Sequence, residues 1–266
     1  MLKPEINIVW FKKDLRLQDH APLQAAIEQG LPTILLYSFE PCIMQDVTTS
    51  NRHLRFIFQS LKTMHNDLVK YNQHLNIVQD EVIPFLEKLQ EVYIIKSIFS
   101  HQEIGNQTTF IRDKHVKKFT ALKGIKWIEF NTNGIIRGLQ NRSNFSEHWL
   151  TTMDASIFFV DLAKLKSIAL NEQQIGHLEL DESITTSNKI FQPGGVIAAQ
   201  QYLHSFLHER KNNYSKHISK PLESRKSCSR ISPYLTYGNV SIKQVYQASL
   251  QAKKDTGDKK NINFFI

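Results

Sequence analysis

Short apolar runs alternate with amphipathic segments over the first 130 residues of the chain. The runs are rich in branched and aromatic residues, and they predict buried strands at 6–10, 33–39, 75–78, 97–100 and 125–130. Helical spacing and composition predict helices at 22–29, 51–71, 81–89 and 108–122, with Gly30 at the end of the first. This alternation indicates βαβ units and a parallel sheet.

The predicted fold class is therefore α/β, with a five-stranded parallel sheet of the doubly wound, Rossmann-like type at the N-terminus. Ligands of such sheets bind beyond the carboxyl ends of the strands. The chain has only ten glycines, and no G-x-G-x-x-G or Walker loop occurs in it. The usual dinucleotide-binding loops are thus excluded.

The pattern changes after about residue 132. Residues 132–146 are typical of an exposed loop, and 150–190 are weakly periodic and polar, which favours an interdomain connector. Pro193, Gly194 and Gly195 then interrupt the chain, and helices are predicted at 196–210 and 241–252. We assign residues 1–133 to the α/β domain, 134–192 to the connector and 193–266 to the start of an all-α domain.

Composition and charge indicate a cellular location and a class of binding partner. The 41% hydrophobic content is ordinary for a globular protein, and no apolar run reaches the roughly 18 residues of a membrane span. Cys42 and Cys228 are the only cysteines, so no disulfide framework is expected and a cytoplasmic location is favoured. The net charge of +8 favours a polyanionic partner such as nucleic acid, although many basic proteins bind none.

The first charged motif is WFKKDLRLQDH at positions 10–20, where a strand runs into a loop. Asp14 and Arg16 are expected to pair and to fix this loop just past the strand end. A purely structural, salt-bridged loop explains the same residues, since surface ion pairs are common and weak.

The second motif is Tyr214 followed by SCSRISPYL at positions 227–235. Hydroxyl groups surround Arg230, whose guanidinium can hold phosphate oxygens bidentately, and Ser232 is expected to cap a helix that begins at Pro233. An ordinary capped helix is the alternative. Seven cations accompany the motif and suit a diphosphate or a DNA backbone, or else form a solvated basic face: Arg210, Lys211, Lys216, Lys220, Arg225, Lys226 and Arg230.

Two weaker signals concern ligands. His204 and His208 have the i, i+4 spacing of metal ligands, but no nearby Cys, Asp or Glu completes a site, so no metal is assigned. Glu103, Arg112 and Asp113 flank the fourth strand and the helix after it. They either line a ligand crevice or cap the helix.

Taken in order, these stretches resemble the DNA photolyase/cryptochrome family. The resemblance rests on WFKKDLRLQDHAPL, LLYSFEP, SNRHLRFIFQSLKTM, PGG before a helix, and YSKHISKPLESRKSCSRISPYLTYGNVS. It implies an α/β domain that often carries an antenna chromophore, followed by a helical domain that binds FAD. In photolyases of the family, the excited reduced flavin donates an electron to a pyrimidine dimer in damaged DNA, which then splits.

By matching position, the resemblance implies that FAD is bound by Tyr214, Cys228, Ser229, Arg230, Ile231 and Ser232, the last five holding its phosphates. Cys228 stands where the family usually has a threonine, and Val196 stands where an acidic residue is usual. None of the three tryptophans matches the family's electron-transfer chain, and no catalytic residue is assigned.

The resemblance leads to an expectation of light-dependent DNA repair by a monomeric, cytoplasmic protein of the lyase class. A blue-light photoreceptor of the cryptochrome type is the alternative. The chain ends at Ile266, near where the next flavin-binding helix of the family begins, so we also expect an incomplete form, or an inactive product that keeps only the α/β domain. The antenna chromophore is not identified by the sequence.

Overall fold

The computed structural model describes residues 2–257 and 259–266. All five predicted strands are present, most with slightly different ends. They are β1 (Glu5–Phe11), β2 (Thr33–Ser38), β3 (Leu75–Val78), β4 (Ile94–His101) and β5 (Lys126–Phe130). β4 is twice as long as predicted, because the exposed Lys96 separates Ile94 and Ile95 from the apolar run that follows.

Every neighbouring pair of strands is parallel, in the order β3-β2-β1-β4-β5. Successive side chains of β1 enter opposite layers of the core. Val9 and Phe11 lie in one apolar cluster, whereas Ile8 and Trp10 lie in the other. Apolar clusters on both faces of a parallel sheet confirm the predicted doubly wound, Rossmann-like fold.

The helices of the sheet region are α1 (Ala21–Gln29), α2 (Pro41–Met44), α3 (Asn51–Val69), α4 (Val82–Val92) and α5 (Gln107–Leu122). Helices α1 and α3 contribute to the first cluster, and α4 and α5 to the second. The remaining helices are α6 (Phe145–Asp154), α7 (Glu172–Ile175), α8 (Glu182–Thr185), α9 (Val196–His208), α10 (Tyr214–His217), α11 (Pro221–Ser227), α12 (Ser232–Thr236), α13 (Ile242–Thr256) and α14 (Lys259–Phe265). The predicted helices at 196–210 and 241–252 correspond to α9 and α13.

Segment 134–192 packs closely against the sheet. Its buried residues Val160, Leu162 and Leu165 belong to the first cluster. Thr33 at the start of β2 accepts a backbone bond from Ile168 (2.9 Å) and donates one to the carbonyl of residue 166 (2.8 Å). These anchors are single residues at irregular spacing, which explains the weak periodicity of the segment. The limits assigned to the three regions stay predictions.

A loop after β1 joins the sheet to the helices around α12. The backbone N–H of Leu15 donates to the carbonyl of Tyr237 (2.9 Å), and the side chain of Asn239 donates to the carbonyl of Leu15 (3.0 Å). The guanidinium of Arg16 donates to the carbonyl of Gly238 (3.2 Å). We call this contact of residues 12–20 with 237–241 the joint.

Close approach of two backbones at the joint requires a glycine. Gly238 has φ +66°, in the left-handed region that favours glycine. A Cβ atom there would lie 2.4 Å from the carbonyl oxygen of Lys13 and 2.5 Å from the Cα of Asp14. Neither atom can move without shifting the loop after β1.

We therefore expect Gly238→Ala to destabilise the protein strongly in denaturant or thermal unfolding. Gly257→Ala is the matched control, because Gly257 also has φ +66° but a Cβ there would meet no atom within 4 Å. The control should lose about 1–2 kcal/mol from backbone strain alone. Gly238→Ala should lose about 1–3 kcal/mol more from overpacking. Equal losses in the two variants would contradict the close approach.

Candidate functional site

The carboxylate of Asp14 lies at the centre of the loop after β1 and is buried. Its Oδ2 accepts hydrogen bonds from Nε2 of His20 (2.9 Å) and Nδ1 of His101 (2.7 Å). Its Oδ1 accepts from the backbone N–H of Lys12 (2.7 Å). Asp14 thus ties its own loop to the start of α1 and to the end of β4.

The predicted pairing of Asp14 with Arg16 is wrong. Arg16 instead donates to the carbonyls of Asp19 (2.9 Å) and Gly238, and the described residues contain no ion pair between Asp14 and Arg16. The two histidines take the place of the arginine as partners of the buried carboxylate. His20 reaches it from the N-cap of α1 and His101 from the last residue of β4.

Burial controls the protonation of this cluster. It lowers the pKa of His20, and it lowers the pKa of His101 to about 4, although Asp14 opposes both shifts. Burial raises the pKa of Asp14, but the two histidines outweigh that effect and hold it well below its ordinary value. The folded protein therefore keeps neutral imidazoles around an ionised carboxylate near neutral pH.

A cavity of about 240 Å³ opens beyond the carboxyl ends of β1 and β2. We call it the sheet cavity. Its position is the one that doubly wound sheets use for ligands. Five aromatic rings and three charged groups are among its lining residues: Trp10, Phe11, Tyr37, Phe39, Tyr237, Glu40, Glu103 and Arg112.

Arg112 organises the polar wall of the sheet cavity. Its guanidinium pairs with Glu40 (2.7 Å), Glu103 (2.5 Å) and Asp113 (2.9 Å), and it lies over the ring of Trp10. The sequence left two interpretations of these charged residues, the lining of a ligand crevice or the capping of a helix. Glu103 and Arg112 line the sheet cavity, whereas Asp113 does not line it and pairs with Arg112. Helix α5 is capped instead by Asn106, whose side chain accepts from the backbone of residue 109.

The 228–232 loop lies between α11 and α12. Arg210 fixes its backbone by donating to the carbonyls of Cys228 and Ser229. Arg230 is exposed and has φ +58°, an unusual conformation for a residue with a side chain. The exposed Arg230 thus lies on a turn whose backbone is fixed by the hydrogen bonds of Arg210.

The other predicted residues of this site differ in burial. Ile231 is buried in a third apolar cluster, and Tyr214 packs at its edge against the ring of Phe206. Burial raises the pKa of Tyr214, and Cys228 raises it further.

One local prediction needs correction. Ser232 is the first residue of α12 and does not cap it, because the N-cap residue is Ile231, which makes no side-chain capping bond. The hydroxyl of Ser232 therefore makes no capping hydrogen bond to its own helix. It lies in a groove of about 330 Å³ that Arg52 also lines.

The predicted run of seven cations divides into two groups. Lys211 is buried, and Arg210 is half-buried against backbone carbonyls. The other five are exposed: Lys216, Lys220, Arg225, Lys226 and Arg230. A count of charged residues in the sequence overestimates the number of exposed cations, because burial of Arg210 and Lys211 cannot be recognised from charge alone.

Gln192 is a contact that the sequence reasoning missed. Its side chain donates to the carbonyl of Arg230 (2.9 Å) and accepts from Nε of Arg230 (3.4 Å). It precedes the Pro-Gly-Gly break, which was the only signal available. His204 and His208 are exposed with ring centroids 4.4 Å apart, and the clusters of possible metal ligands among the described residues do not include them.

Two findings concern disulfide bonds and membrane-spanning helices. Cys42 and Cys228 are both free thiols. Within residues 2–257 and 259–266, none of the helices is both long and apolar enough to cross a membrane.

Comparison with known proteins identifies a family and a fold. The sequence model of the family described as DNA photolyase matches residues 7–141, just over half of the chain. Cryptochrome-2 of Arabidopsis thaliana is 24% identical over 91% of this chain and 42% of its own length. The crystal structure of the Synechocystis cryptochrome superposes with a TM-score of 0.76 at 19% identity, covering all of this chain and 59% of that one.

A photolyase structure is similar as well. The archaeal photolyase from Sulfolobus tokodaii, solved with two FAD molecules, gives a TM-score of 0.69 at 18% identity and covers 96% of this chain and 55% of that one. The chain thus spans about half the length of these relatives.

The Asp14 cluster predicts acid sensitivity. The ordinary pKa of histidine is 6.5 and that of folded His101 is about 4, so the unfolded chain takes up this proton first as the pH falls. Stability should be full above pH 6.5 and should decline down to pH 4, by at most about 1.4 kcal/mol per pH unit for this proton.

We expect His101→Asn, which keeps a donor for Asp14, to flatten this decline when unfolding free energies are measured by denaturant titration across the same range. His65→Asn, at an exposed position of α3, is the control for the loss of any histidine. Profiles of equal slope in the two variants would show that the buried cluster does not cause the decline.

Proposed function

Because the chain belongs to the DNA photolyase family, we propose that it acts in light-dependent DNA repair, with FAD held at Tyr214 and the 228–232 loop. When bound, FAD supplies the light-driven electron transfer that splits a pyrimidine dimer. The observation that carries this proposal is the exposed guanidinium of Arg230 on a turn fixed by Arg210 and Gln192. The roles of these residues are to bind and orient the diphosphate.

The residues of the loop fit a diphosphate. Arg230 offers charge-assisted hydrogen bonds, which are roughly twice as strong as neutral ones. The hydroxyls of Ser229 and Ser232 lie on the same turn, and the backbone behind them does not have to reorganise. Cys228 contributes less, since a thiol is a weaker hydrogen-bonding group than the threonine hydroxyl usual at this position.

The exposed cations of α10 and α11 support a DNA partner. Lys216, Lys220, Arg225 and Lys226 lie within eleven residues of one another on the two short helices or at their edges, next to the 228–232 loop. Such a surface attracts the phosphate backbone without regard to sequence. We propose damaged DNA as the polyanion, a cytoplasmic location and a monomeric state.

A blue-light photoreceptor is the second candidate, because the relatives similar to this chain include cryptochromes. The loss of pyrimidine dimers from damaged DNA under blue light, with none in the dark, separates repair from sensing. Repair without light would exclude both candidates.

The sheet cavity supports a second, antenna chromophore. Its five aromatic rings suit a planar heteroaromatic ligand, and Glu103 can accept a hydrogen bond from a ring N–H group. The structure of the Sulfolobus tokodaii photolyase, with its two FAD molecules, implies a novel light-harvesting cofactor in that protein.

Arg230→Ala tests the diphosphate assignment. We expect the variant to bind FAD and ADP more weakly by about 1.5–3 kcal/mol, because one charge-assisted contact is lost. ADP serves as the probe because it carries the diphosphate without the flavin ring. Dissociation constants are measured by isothermal titration calorimetry.

Arg225→Ala is the matched control, since it removes an exposed cation on α11 outside the loop. It should leave ADP affinity almost unchanged. Equal losses in both variants would reduce the effect to general charge attraction, and no loss in Arg230→Ala would refute the assignment of the loop.

Met44→Trp tests the sheet cavity. Met44 lines this cavity, so the larger side chain should fill part of it and abolish the quenching of FMN fluorescence on binding. Val47→Trp is the control, because Val47 is 99% exposed three residues further on and does not line the cavity. If neither FMN nor a copurified chromophore binds the unsubstituted protein, or if both variants bind alike, the antenna proposal is wrong.

A further inference from the structure

Three possible metal ligands meet on the other side of the Glu40–Arg112 pair. Glu40 follows β2, Cys42 lies in α2, and Glu81 follows β3 immediately before α4. One ligand atom from each, the thiol sulfur and two carboxylate oxygens, lies within 4.8 Å of the others. Since β2 and β3 are adjacent and parallel, their carboxyl ends bring these residues together.

Glu81 is turned toward Cys42 and away from its own helix. It occupies the N-cap position of α4 but makes no capping bond there. Its Oε1 accepts from the backbone N–H of Cys42 (2.7 Å), and its Oε2 accepts from the thiol (3.0 Å). The thiol proton therefore sits between a sulfur and a carboxylate, where a cation can replace it.

Glu40 supplies an independent observation. It is 2% exposed, and its Oε1 accepts from Nη1 of Arg112 (2.7 Å). Its Oε2 is buried and has no hydrogen-bond partner within the described part of the chain. A buried carboxylate oxygen without a partner destabilises the protein, so a ligand for it would be stabilising.

Solvent can reach this cluster. Glu40, Cys42 and Glu81 line a cavity of about 470 Å³ that is distinct from the sheet cavity, and His115 of α5 lines it as well. His115 is exposed and lies outside the group of ligand atoms within 4.8 Å of one another, so a water would occupy the remaining position. The cavity thus offers three protein ligands, one each from the turn after β2, from α2 and from the turn after β3.

We propose that Glu40, Cys42 and Glu81 bind a divalent metal ion of the Zn²⁺ type. A thiolate with carboxylate ligands suits Zn²⁺ rather than Mg²⁺ or Ca²⁺, which prefer oxygen ligands alone. Binding forms a metal–sulfur bond and releases the thiol proton to solvent, with no change of oxidation state. The two carboxylates and the thiolate then carry three negative charges, which the ion and Arg112 balance.

The bound ion would connect the turn after β2 to the turn after β3. The turn after β2 borders the polar wall of the sheet cavity, because Glu40 lines both cavities. The metal would take Oε2 of Glu40 while Arg112 keeps Oε1, so the ion pair with Arg112 is preserved.

Co²⁺ is the spectroscopic probe, because a cobalt–thiolate bond absorbs in the near ultraviolet and identifies sulfur ligation directly. The purified protein is first treated with a chelator and then titrated with Co²⁺. We expect a thiolate-to-cobalt band that Zn²⁺ abolishes in competition. We also expect a rise in the unfolding temperature with Zn²⁺, since an ion bound only by the folded state stabilises it.

Two variants and one control locate the site. Cys42→Ser should abolish the band, and Glu81→Gln should weaken Co²⁺ binding more than about 100-fold, because even losing an outer partner of a ligand costs 10–100-fold. Cys228→Ser changes the only other cysteine and should leave both unchanged. Circular dichroism verifies that each variant is folded.

The absence of a thiolate band in the unsubstituted protein overturns the proposal. So does a band that survives in folded Cys42→Ser or disappears in Cys228→Ser. If Cys42→Ser does not fold, Glu81→Gln decides, and unchanged Co²⁺ affinity in that variant overturns the proposal as well.

Discussion

The buried carboxylate of Asp14 is the constraint on which the arrangement of the chain depends. A buried ionised group is tolerated only when it is well hydrogen-bonded, and Asp14 satisfies this condition with the donors of Lys12, His20 and His101. These bonds fix the loop after β1 against the sheet. The fixed loop then presents Leu15 and Arg16 to the turn after α12, so that sheet and helices share one interface.

The sequence was informative where one local property decides the structure. β2 is an almost continuous apolar run, and Gly30 ends α1 in the left-handed conformation expected of it. The partners of Asp14 could not be predicted in the same way. His101 lies 87 positions away in sequence, and only the parallel pairing of β1 with β4 brings it near. Arg16, closer in sequence, was therefore the wrong choice of partner.

The candidate sites show the same division. The 228–232 loop was found from its composition and its resemblance to a family, because an arginine among hydroxyls is a local pattern. The sequence left open whether Arg112 lines a ligand crevice or caps its helix. Its role in the wall of the sheet cavity depends on a buried ion pair with Glu40, which is 72 residues away in the sequence. The spacing of charges along a sequence does not carry that information, because pairing across a sheet edge is set by topology.

Helix α12 connects the joint to both proposed cofactor sites. Its first residue is Ser232 of the 228–232 loop, and it ends next to Tyr237, which lines the sheet cavity. The carbonyl of Tyr237 accepts the hydrogen bond from the backbone N–H of Leu15 at the joint. Five residues of helix span only about 7.5 Å. Over that length a helical turn moves as a unit, so a shift of the loop after β1 would displace the 228–232 loop and the cavity wall together. The same buried carboxylate that holds the joint therefore sets the relative position of the two sites, which is the quantity that energy transfer between two chromophores would require to be fixed.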